Sequence, residues 1–232
     1  MYRLVVKAEQ IKSEQINLDS QQLHYLLRVL RLHNGDRFIA LDGVGQSWLA
    51  EITDNSARII EAIAIQTELP VSLSLITALP KGSGYEQVLR CCTELGVSNF
   101  MPVISDRTIV KPKPNKVDRW RKIVIEAAEQ SERQIVPSIF EPVKFTKAIA
   151  QTKPTQNKYI CVARGDIPTL WQSMNAQTPS KIVIATGCEG GWTDDEIEQA
   201  IALGFQPISL GKRVLRAVTA PIAATSIVTA ML

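Results

Sequence analysis

The sequence predicts an α/β protein with a small β-rich domain at residues 1–70 and a larger domain with a parallel sheet at residues 71–232. Two patterns indicate this organisation. Up to residue 68, short runs alternate apolar and polar residues, as half-buried strands do. After Pro70, apolar runs alternate with amphipathic helical patterns, which is typical of a parallel sheet covered on both faces. Both lengths are ordinary for domains.

The first domain contains four predicted strands and one helix. The strands are residues 2–6, 36–41, 47–53 and 58–66. Asp42-Gly43 stands between the second and third runs and is a hairpin signal. The helix covers residues 20–31, with Asp19 or Ser20 as its N-cap and leucines at helical spacing. This pattern predicts a small barrel-like domain, a class that often binds nucleic acid.

The second domain contains five predicted strands, at residues 71–79, 99–105, 158–163, 181–186 and 206–210. Ser83-x-x-Glu86 and Thr193-x-x-Glu196 are capping-box patterns, and Asp118 is the expected cap of a further helix. The last segment, residues 216–232, is apolar nearly all round and carries no charge after Arg216. A helix of this kind must be buried, either in its own domain or in a partner subunit.

Composition excludes several classes of protein. With 45% hydrophobic and 21% charged residues, the chain is neither disordered nor fibrous. The four cysteines have no C-x-x-C spacing, and the two histidines are His24 and His33, so we expect no metal site and no Cys–His nucleophile. The longest apolar stretch, residues 221–232, is too short to span a bilayer, and no secretory signal is visible. We therefore expect a cytoplasmic protein without a membrane anchor.

The net charge of +3 is an average over unlike segments. Residues 105–122 hold seven basic and two acidic side chains, which is a local charge of +5. Within this segment, Pro112 and Pro114 exclude a helix or a central strand and leave an exposed loop with Lys111 and Lys113. Such a loop suits contacts with RNA phosphates, and it is equally compatible with a solvated run of charges.

A second basic group lies at the end of the predicted N-terminal helix. Arg28 and Arg31 share one side of this helix, and Arg37 follows shortly after it. Arginines at a helix end also complement the helix dipole, so this group alone does not assign a function. The distribution of the charge, rather than its total, indicates RNA as a partner.

Three of the predicted strand ends are rich in glycine, namely residues 79–84, 186–191 and 209–211. In an open parallel sheet, ligands bind beyond the carboxyl ends of the strands. The first loop lacks the third glycine of a dinucleotide fingerprint, where Gln87 stands, and it is no P-loop. In the second loop, three glycines around Glu189 let the backbone approach a ligand, although similar loops also form simple turns.

A set of short motifs runs in order along nearly the whole chain. They are Val29-Leu-Arg31, Gly35-Asp36, Lys81-Gly82, Thr93-Glu-Leu-Gly-Val97, Arg119-Trp120, Glu126-Ala-Ala-Glu-Gln-Ser131, Gly187-x-Glu-Gly-Gly191 and Leu210-Gly-x-Arg-x-Leu-Arg216. Together these motifs resemble the SPOUT-class methyltransferases that modify N3 of a uridine in 16S ribosomal RNA. The chain departs from that family's pattern at Cys188, where proline is usual, at Val218, where glutamate is usual, and at Glu132, where a small residue is usual.

The resemblance implies a PUA-like RNA-binding domain at residues 1–70 and a SPOUT domain with a deep trefoil knot at residues 71–232. It also implies S-adenosylmethionine as the cofactor, a homodimer that includes the terminal helix, and 16S ribosomal RNA or the 30S subunit as the substrate. The implied target is uridine 1498 in the usual 16S numbering. Two alternatives stay open: methylation of another RNA site by the same fold, and a non-catalytic RNA-binding module for ribosome assembly.

The implied site residues form three sets. The cofactor set is Thr77, Ala78, Leu79, Thr186, Gly187, Glu189, Gly190, Gly191, Leu210, Gly211, Val214 and Leu215. The RNA set is Arg3, Arg28, Arg31, Lys81, Arg107, Lys111 and Lys113. The catalytic candidates are Glu189, Arg133 and Arg216. We expect the two arginines to position the uracil, while the base that removes the N3 proton stays unassigned.

Overall fold

The chain is described here by a computed structural model that covers residues 1–64, 66–110, 115–154, 157–174 and 180–232. These residues cluster into two compact units, Met1–Glu68 with Ala128–Val136, and Leu69–Ala127 with Pro137–Leu232. The sequence-based division assigns residues 128–136 to the second domain, whereas they cluster with the first unit. Lys111 and Lys113, two predicted RNA contacts, lie outside the described residues. Within the described ranges, no helix is both long and apolar enough to cross a membrane.

The first unit is built around a mostly antiparallel sheet. Its strands are β1 (Arg3–Val5), β2 (Ile11–Lys12), β3 (Gln15–Asn17), β4 (Arg37–Leu41), β5 (Ser47–Thr53) and β6 (Ser56–Ala62). They follow the order β1-β4-β5-β6-β3-β2, with β1 and β4 parallel. The four predicted strands are confirmed as β1, β4, β5 and β6. Gly43, at φ 74°, lies in the predicted hairpin between β4 and β5.

The helical segment of the first unit is shorter than predicted. Helix α1 (Ser20–His24) begins after Asp19, whose carboxylate accepts a hydrogen bond from the Gln22 amide at 2.8 Å. The chain then continues as a π-helical turn, Tyr25–Val29, in which the Leu30 amide donates to the Tyr25 carbonyl at 2.9 Å. This turn buries Leu26 completely in the core of the unit. A short 3₁₀ turn, Ala8–Gln10, lies between β1 and β2.

Residues 128–136 are fixed in the first unit by buried and partly buried polar contacts. Arg133 is 3% exposed, and its Nη2 lies 2.7 Å from the Glu68 carboxylate. The Arg133 Nε donates to the same carboxylate at 3.2 Å. The Glu129 carboxylate accepts a hydrogen bond from the Val5 amide at 2.6 Å. Arg133, a predicted catalytic residue, therefore forms a buried ion pair inside the N-terminal unit.

The second unit is built on a parallel sheet. Its strands are β7 (Ser72–Ala78), β8 (Asn99–Ile104), β9 (Ser138–Ile139), β10 (Val143–Lys144), β11 (Asn157–Cys161), β12 (Lys181–Thr186) and β13 (Gln206–Ile208). They follow the order β10-β8-β7-β12-β11-β13, with β9 beside β8. The five predicted strands are confirmed as β7, β8, β11, β12 and β13. Consecutive residues 182–186 of β12 are all buried, so both faces of this central strand are covered.

Six helices accompany this sheet among the described residues. They are α2 (Gly84–Glu94), α3 (Lys116–Gln130), α4 (Phe145–Ala150), α5 (Leu170–Ser173), α6 (Asp194–Ala202) and α7 (Thr219–Ala230). The predicted capping box of α6 is confirmed, since the Thr193 hydroxyl accepts from the Glu196 amide and the Glu196 carboxylate accepts from the Thr193 amide. The predicted box of α2 is wrong: Ser83 makes no side-chain cap, because its backbone (φ −94°, ψ 8°) lacks the extended conformation of an N-cap residue. The Glu86 carboxylate pairs with Arg119 at 2.8 Å.

Helix α3 begins earlier than the sequence predicts. Its first residue is Lys116, so Asp118, the expected cap, lies inside the first turn. There Asp118 pairs with Arg121 at 2.8 Å, and Arg121 also reaches Glu141 at 3.1 Å. These ion pairs are solvent-exposed, unlike the pair that Arg133 forms further along the chain.

The terminal helix α7 packs on α2 of its own chain. The Thr229 hydroxyl donates to the Leu95 carbonyl at 2.8 Å, and the Thr225 hydroxyl lies 3.6 Å from the Cys92 sulfur. The buried residues of α7 are Pro221, Ala224, Thr225 and Val228. Residues 222, 223 and 227 stay partly exposed. The helix is therefore buried on one side by its own domain, which is one of the two placements expected for it. Its other side stays partly exposed.

We expect Arg133→Ala to lower the free energy of unfolding by about 3 kcal/mol, because Glu68 would remain as an unpaired and largely buried charge. Urea denaturation followed by circular dichroism measures this loss. Arg121→Ala is the matched control, since it removes an exposed arginine with two ion pairs and should cost about 1 kcal/mol or less. Equal losses for the two variants would contradict a structural role for the Arg133–Glu68 pair.

Candidate functional site

A cavity of about 500 Å³ lies in the second unit at the carboxyl ends of β11 and β12. Its walls come from residues 161–164, from the loop 187–191 and from residues within the segment 209–220. The volume falls within the roughly 300–1,000 Å³ of small-molecule sites. This edge of an open parallel sheet is where ligands bind, as the sequence-based argument assumed.

The loop 187–191 combines close backbone packing with a left-handed turn. A Cβ atom on Gly187 would stand 3.1 Å from the Gly191 Cα. Gly191 itself has a φ of 68°, which favours glycine, and its amide donates to the Cys188 carbonyl at 2.9 Å. A larger residue at either glycine would strain or displace the loop. The loop therefore presents main-chain groups to the cavity at short range.

Glu189 connects this loop to the loop that follows β7. One of its carboxylate oxygens accepts a hydrogen bond from the Lys81 amide at 2.9 Å. Lys81 and Glu189 are a predicted RNA contact and a predicted catalytic residue. The structure brings these two residues together, and the bond uses the main chain of Lys81, so the ammonium group takes no part in it. In this arrangement the Glu189 carboxylate is the hydrogen-bond acceptor for the main-chain amide of Lys81.

Arg107 connects the same loop to the turn that follows β8. Its Nη1 donates to the Gly190 carbonyl and to the Trp192 carbonyl, both at 2.9 Å. Arg107 also lines the cavity. The residue that the sequence assigns to RNA contact thus has its guanidinium engaged with main-chain oxygens beside the cavity.

The walls of the cavity are chemically mixed. Apolar side chains come from Val162, Ala163, Leu210, Val214 and Leu215. Arg164 and Arg213 supply positive charge, while Glu189 and Asp194 supply negative charge. Burial raises the pKa of the Cys161 thiol to about 12, so this cavity residue stays protonated at neutral pH and is a poor nucleophile. The arrangement suits an organic ligand with an apolar ring and charges of both signs.

Most of the predicted cofactor residues line this cavity, namely Gly187, Glu189, Gly190, Gly191, Leu210, Gly211, Val214 and Leu215. Thr77, Ala78, Leu79 and Thr186 are not among its lining residues. Thr77 and Thr186 are partners in the β7–β12 register, and the Thr186 hydroxyl donates to the Thr77 hydroxyl at 3.4 Å. The side chains of both threonines are buried in the sheet.

The catalytic candidates are distributed over both units. Glu189 lines the cavity. Arg216 is exposed and lies between two cavity residues in the chain, and its carbonyl accepts bonds from the Thr219 and Ala220 amides at 2.9 Å. Arg133 belongs to the first unit and pairs with Glu68. Of the three candidates, the structure places only the Glu189 side chain in the wall of the cavity.

The predicted RNA contacts of the first unit differ in their environment. Arg3 is held by Glu132 at 2.7 Å, and its side chain is 11% exposed. Arg28 and Arg31 are exposed, and no ion pair of either side chain is found within the described ranges. Arg31 has a φ of 57°, so it stands at a sharp turn directly after the π-helical segment.

Two of the three departures from the family pattern, Cys188 and Val218, have packing roles. Cys188 is buried in the core cluster of the second unit, 3.7 Å from the Ser105 hydroxyl. Val218 packs against α2, where a Cβ added to Gly84 would stand 2.8 Å from a Val218 methyl group. Cys188 also lines the cavity, whereas Val218 is not among its lining residues.

The end of β11, residues 161–164, forms a wall of the cavity that is not among the predicted site residues. Trp192, Asp194 and Ile197 also line the cavity and were not predicted. The strand itself is predicted at residues 158–163, so its carboxyl end could have been included by the rule that ligands lie beyond parallel strands. Only the glycine-rich strand ends were selected, and this end contains no glycine before Gly165.

Comparisons with known proteins match both units. Residues 67–229 match the RNA methyltransferase domain family, and residues 18–64 match the RNA methyltransferase PUA domain family. A ribosomal RNA small subunit methyltransferase E from Synechocystis sp. is 49% identical over 100% of this chain and 78% of the relative. The Bacillus subtilis protein of the same name is 28% identical over 90% of this chain and 88% of the relative.

Solved structures give the same result. A ribosomal RNA small subunit methyltransferase E from Neisseria gonorrhoeae, bound to S-adenosyl methionine, has a TM-score of 0.89 and 31% identity over 97% of this chain and 95% of that chain. A putative methyltransferase from Legionella pneumophila, in complex with the same cofactor, has a TM-score of 0.88 and 28% identity over 99% and 97%. The chain belongs to the RNA methyltransferase family, among the ribosomal RNA small subunit methyltransferase E proteins.

Proposed function

We propose that this protein transfers a methyl group from S-adenosylmethionine to N3 of a uridine in 16S ribosomal RNA, at position 1498 in the usual numbering. The observation that carries the proposal is the cavity at the carboxyl ends of β11 and β12 in a chain of the RNA methyltransferase family. The cofactor-bound structures of two relatives with the same fold support the choice of cofactor.

The residues of the cavity fit this cofactor. Apolar walls that include Val162 and Leu215 suit the adenine ring, and the main chain of the loop 187–191 suits its polar edge. Arg164 and Arg213 suit a carboxylate, since guanidinium groups form strong charge-assisted hydrogen bonds. The carboxylates of Glu189 and Asp194 suit an ammonium or a sulfonium. When bound, the cofactor supplies an electrophilic methyl group whose leaving group is a neutral thioether.

Because a neutral thioether needs no acid on departure, the chain's main task is to hold the uracil in line with the methyl group. Uracil N3 carries a proton and lies at the pairing edge, so the base must be unpaired when it is bound. The protein must then remove that proton or stabilise the uracil anion. Arg216 suits the second task, since its exposed side chain follows a cavity residue directly. Arg133 suits it less, because its guanidinium already pairs with Glu68.

The N-terminal unit is proposed to bind the RNA. Arg28 and Arg31 are exposed cations without an ion-pair partner in the described part of the chain, which suits phosphate contacts. Lys81 of the second unit is a further proposed contact, since its ammonium takes no part in the bond of its amide to Glu189. The substrate is 16S ribosomal RNA or the 30S subunit, and a cytoplasmic location follows from that substrate. Recovery of the protein in a membrane fraction would contradict this location.

A trefoil knot is proposed for the C-terminal part of the second unit. After β13, at the edge of the sheet, residues 209–217 run past the ends of β11 and β12, and α7 then packs on α2. This return across the strand ends supports a threaded path, although chains generally avoid knots. A crystal structure in which the main chain is unknotted would overturn the proposal.

A homodimer is proposed on the remaining side of α7. This helix has no charged residue, and residues 222, 223 and 227 stay partly exposed beside its buried side. Trp171 in α5, an element that contacts α7, is 59% exposed. Symmetric pairing would cover these apolar groups. A sedimentation mass of one 25.7 kDa chain at micromolar concentration would contradict the dimer.

The function itself is tested by methyl transfer in vitro. The purified protein, radiolabelled S-adenosylmethionine and 30S subunits from cells that lack the orthologous enzyme should give one labelled uridine in 16S ribosomal RNA. Mass spectrometry of nuclease fragments should identify N3-methyluridine. Failure to bind the cofactor in calorimetry would reject catalysis, whereas label in another nucleotide would reject only the target.

We expect Glu189→Gln to keep most of the activity, because the side-chain amide oxygen of glutamine can still accept the bond from the Lys81 amide. Glu189→Ala should weaken cofactor binding, because it removes that bond and frees the loop. Calorimetry and the pH dependence of kcat measure these effects. A kcat for Glu189→Gln that falls by roughly 10²–10⁴-fold, with unchanged cofactor affinity, would instead identify Glu189 as the general base.

We expect Arg28→Ala combined with Arg31→Ala to weaken RNA binding and to lower the slope of log K against log salt by about 1.4 to 1.8, as loss of two phosphate contacts does. Cofactor affinity should not change. The matched control is Arg37→Ala combined with Arg58→Ala, which removes the same charge from residues that pair with Glu51. If both double variants weaken RNA binding equally, the loss reflects net charge and contradicts specific phosphate contacts of Arg28 and Arg31.

A further inference from the structure

Arg107, a predicted RNA contact, extends from the turn after β8 to the glycine loop 187–191. It is a solvent-exposed residue, yet its Nη1 donates to the Gly190 and Trp192 carbonyls, both at 2.9 Å. These two carbonyls belong to the end of the glycine loop and to the residue after it. One guanidinium thus binds the C-terminal end of the loop that forms a wall of the cavity.

The base from which Arg107 extends is itself firmly held. The Asp106 amide donates to the Glu196 carboxylate at 3.0 Å, and Glu196 is only 2% exposed. The Ser105 amide donates to the Thr108 hydroxyl at 3.0 Å, which closes the turn internally. Because the main chain on both sides of Arg107 is fixed, its Cα stands at a defined place beside the loop.

The stem of Arg107 also packs against the loop. A Cβ atom added to Gly190 would stand 3.0 Å from the Arg107 Cβ and 3.3 Å from its Cδ. The glycine at this position therefore allows the main chain to lie against the aliphatic part of the arginine. Hydrogen bonds at the tip and packing along the stem act on the same residues of the loop.

We propose that Arg107 is a positioning residue of the cofactor cavity and that it does not act through RNA contact. It holds the loop 187–191 in the shape that accepts S-adenosylmethionine, because it is always charged and the two N–H bonds of its Nη1 can donate to two carbonyls at once. The proposal rests on the proposed function and reassigns one residue of the predicted RNA set. The class of ligand affected is the cofactor, and the RNA affinity is left unchanged.

The first test compares two affinities of Arg107→Ala with those of the unchanged protein. Calorimetry with S-adenosylmethionine should show a dissociation constant raised by about 10-fold or more, which corresponds to the loss of about one charge-assisted contact. Filter binding of a 16S ribosomal RNA fragment should show the same affinity and the same salt dependence. The control Arg119→Ala removes an exposed arginine that pairs with Glu86 and should leave the cofactor affinity unchanged.

Two further measurements separate positioning from a general loss of structure. Guanidinium chloride at low millimolar concentration should restore part of the cofactor affinity of Arg107→Ala, whereas methylammonium should restore less, because it lacks the planar fork. In a double-mutant cycle, Gly190→Ala and Arg107→Ala should be strongly non-additive, since both disturb the same contact. Arg107→Lys, which keeps the positive charge but loses the planar donor group, should lie between the unchanged protein and Arg107→Ala.

The outcomes are distinct. Weakened RNA binding of Arg107→Ala with unchanged cofactor affinity would overturn the proposal and restore the RNA role. Unchanged values for both ligands would overturn it as well. If the unchanged protein binds no S-adenosylmethionine, the proposed function fails first, and this result is recognised before any variant is measured. Loss of cofactor affinity that guanidinium does not restore, with additive effects in the cycle, would assign Arg107 a merely structural role.

Discussion

The arrangement of the cavity depends on one buried carboxylate, that of Glu196. One of its oxygens accepts from the Thr193 amide and caps α6, and the other accepts from the Asp106 amide in the turn after β8. A carboxylate that is 2% exposed is stable only when donors surround it, and here the donors come from two distant parts of the chain. The start of a helix and the end of a strand are thereby joined. A capping residue usually makes local contacts only, whereas Glu196 also makes a long-range contact.

The other strand-end loops are joined to this pair by single polar contacts. The turn after β8 carries Arg107, which reaches the loop after β12, and that loop carries Glu189, which reaches the loop after β7. In each contact a charged side chain satisfies a main-chain group that no neighbouring strand can pair at the sheet edge. The glycine loop gains a defined shape from these contacts. The loop is held in place by these contacts, while its remaining main-chain groups stay available to a ligand.

The sequence predicts the strands of this fold better than its site. Long apolar runs such as β7 and β12 are recognisable because both of their faces are buried, whereas β2 and β9 have two residues and no readable period. The capping box at Thr193 is predictable, because its two bonds are local. The same pattern at Ser83 fails, because the Ser83 backbone is not extended and Glu86 pairs with Arg119, which is distant in sequence. Residues 161–164 escape prediction for a related reason, since their role depends on which strands are neighbours.

The arginines show why charge patterns assign partners only in part. Arg28, Arg107 and Arg133 are all cations in or near family motifs, and their charge alone does not distinguish their roles. Burial and acceptors separate them: Arg133 neutralises Glu68, Arg107 donates to carbonyls, and Arg28 is exposed. A guanidinium that already donates to acceptors in the protein has fewer N–H groups left for a phosphate and is less free to reorient toward one, so its contribution to RNA affinity is reduced. Within the local +5 of residues 105–122, the affinity for RNA therefore depends on the arginines and lysines that lack such acceptors, and a count of charges overstates it.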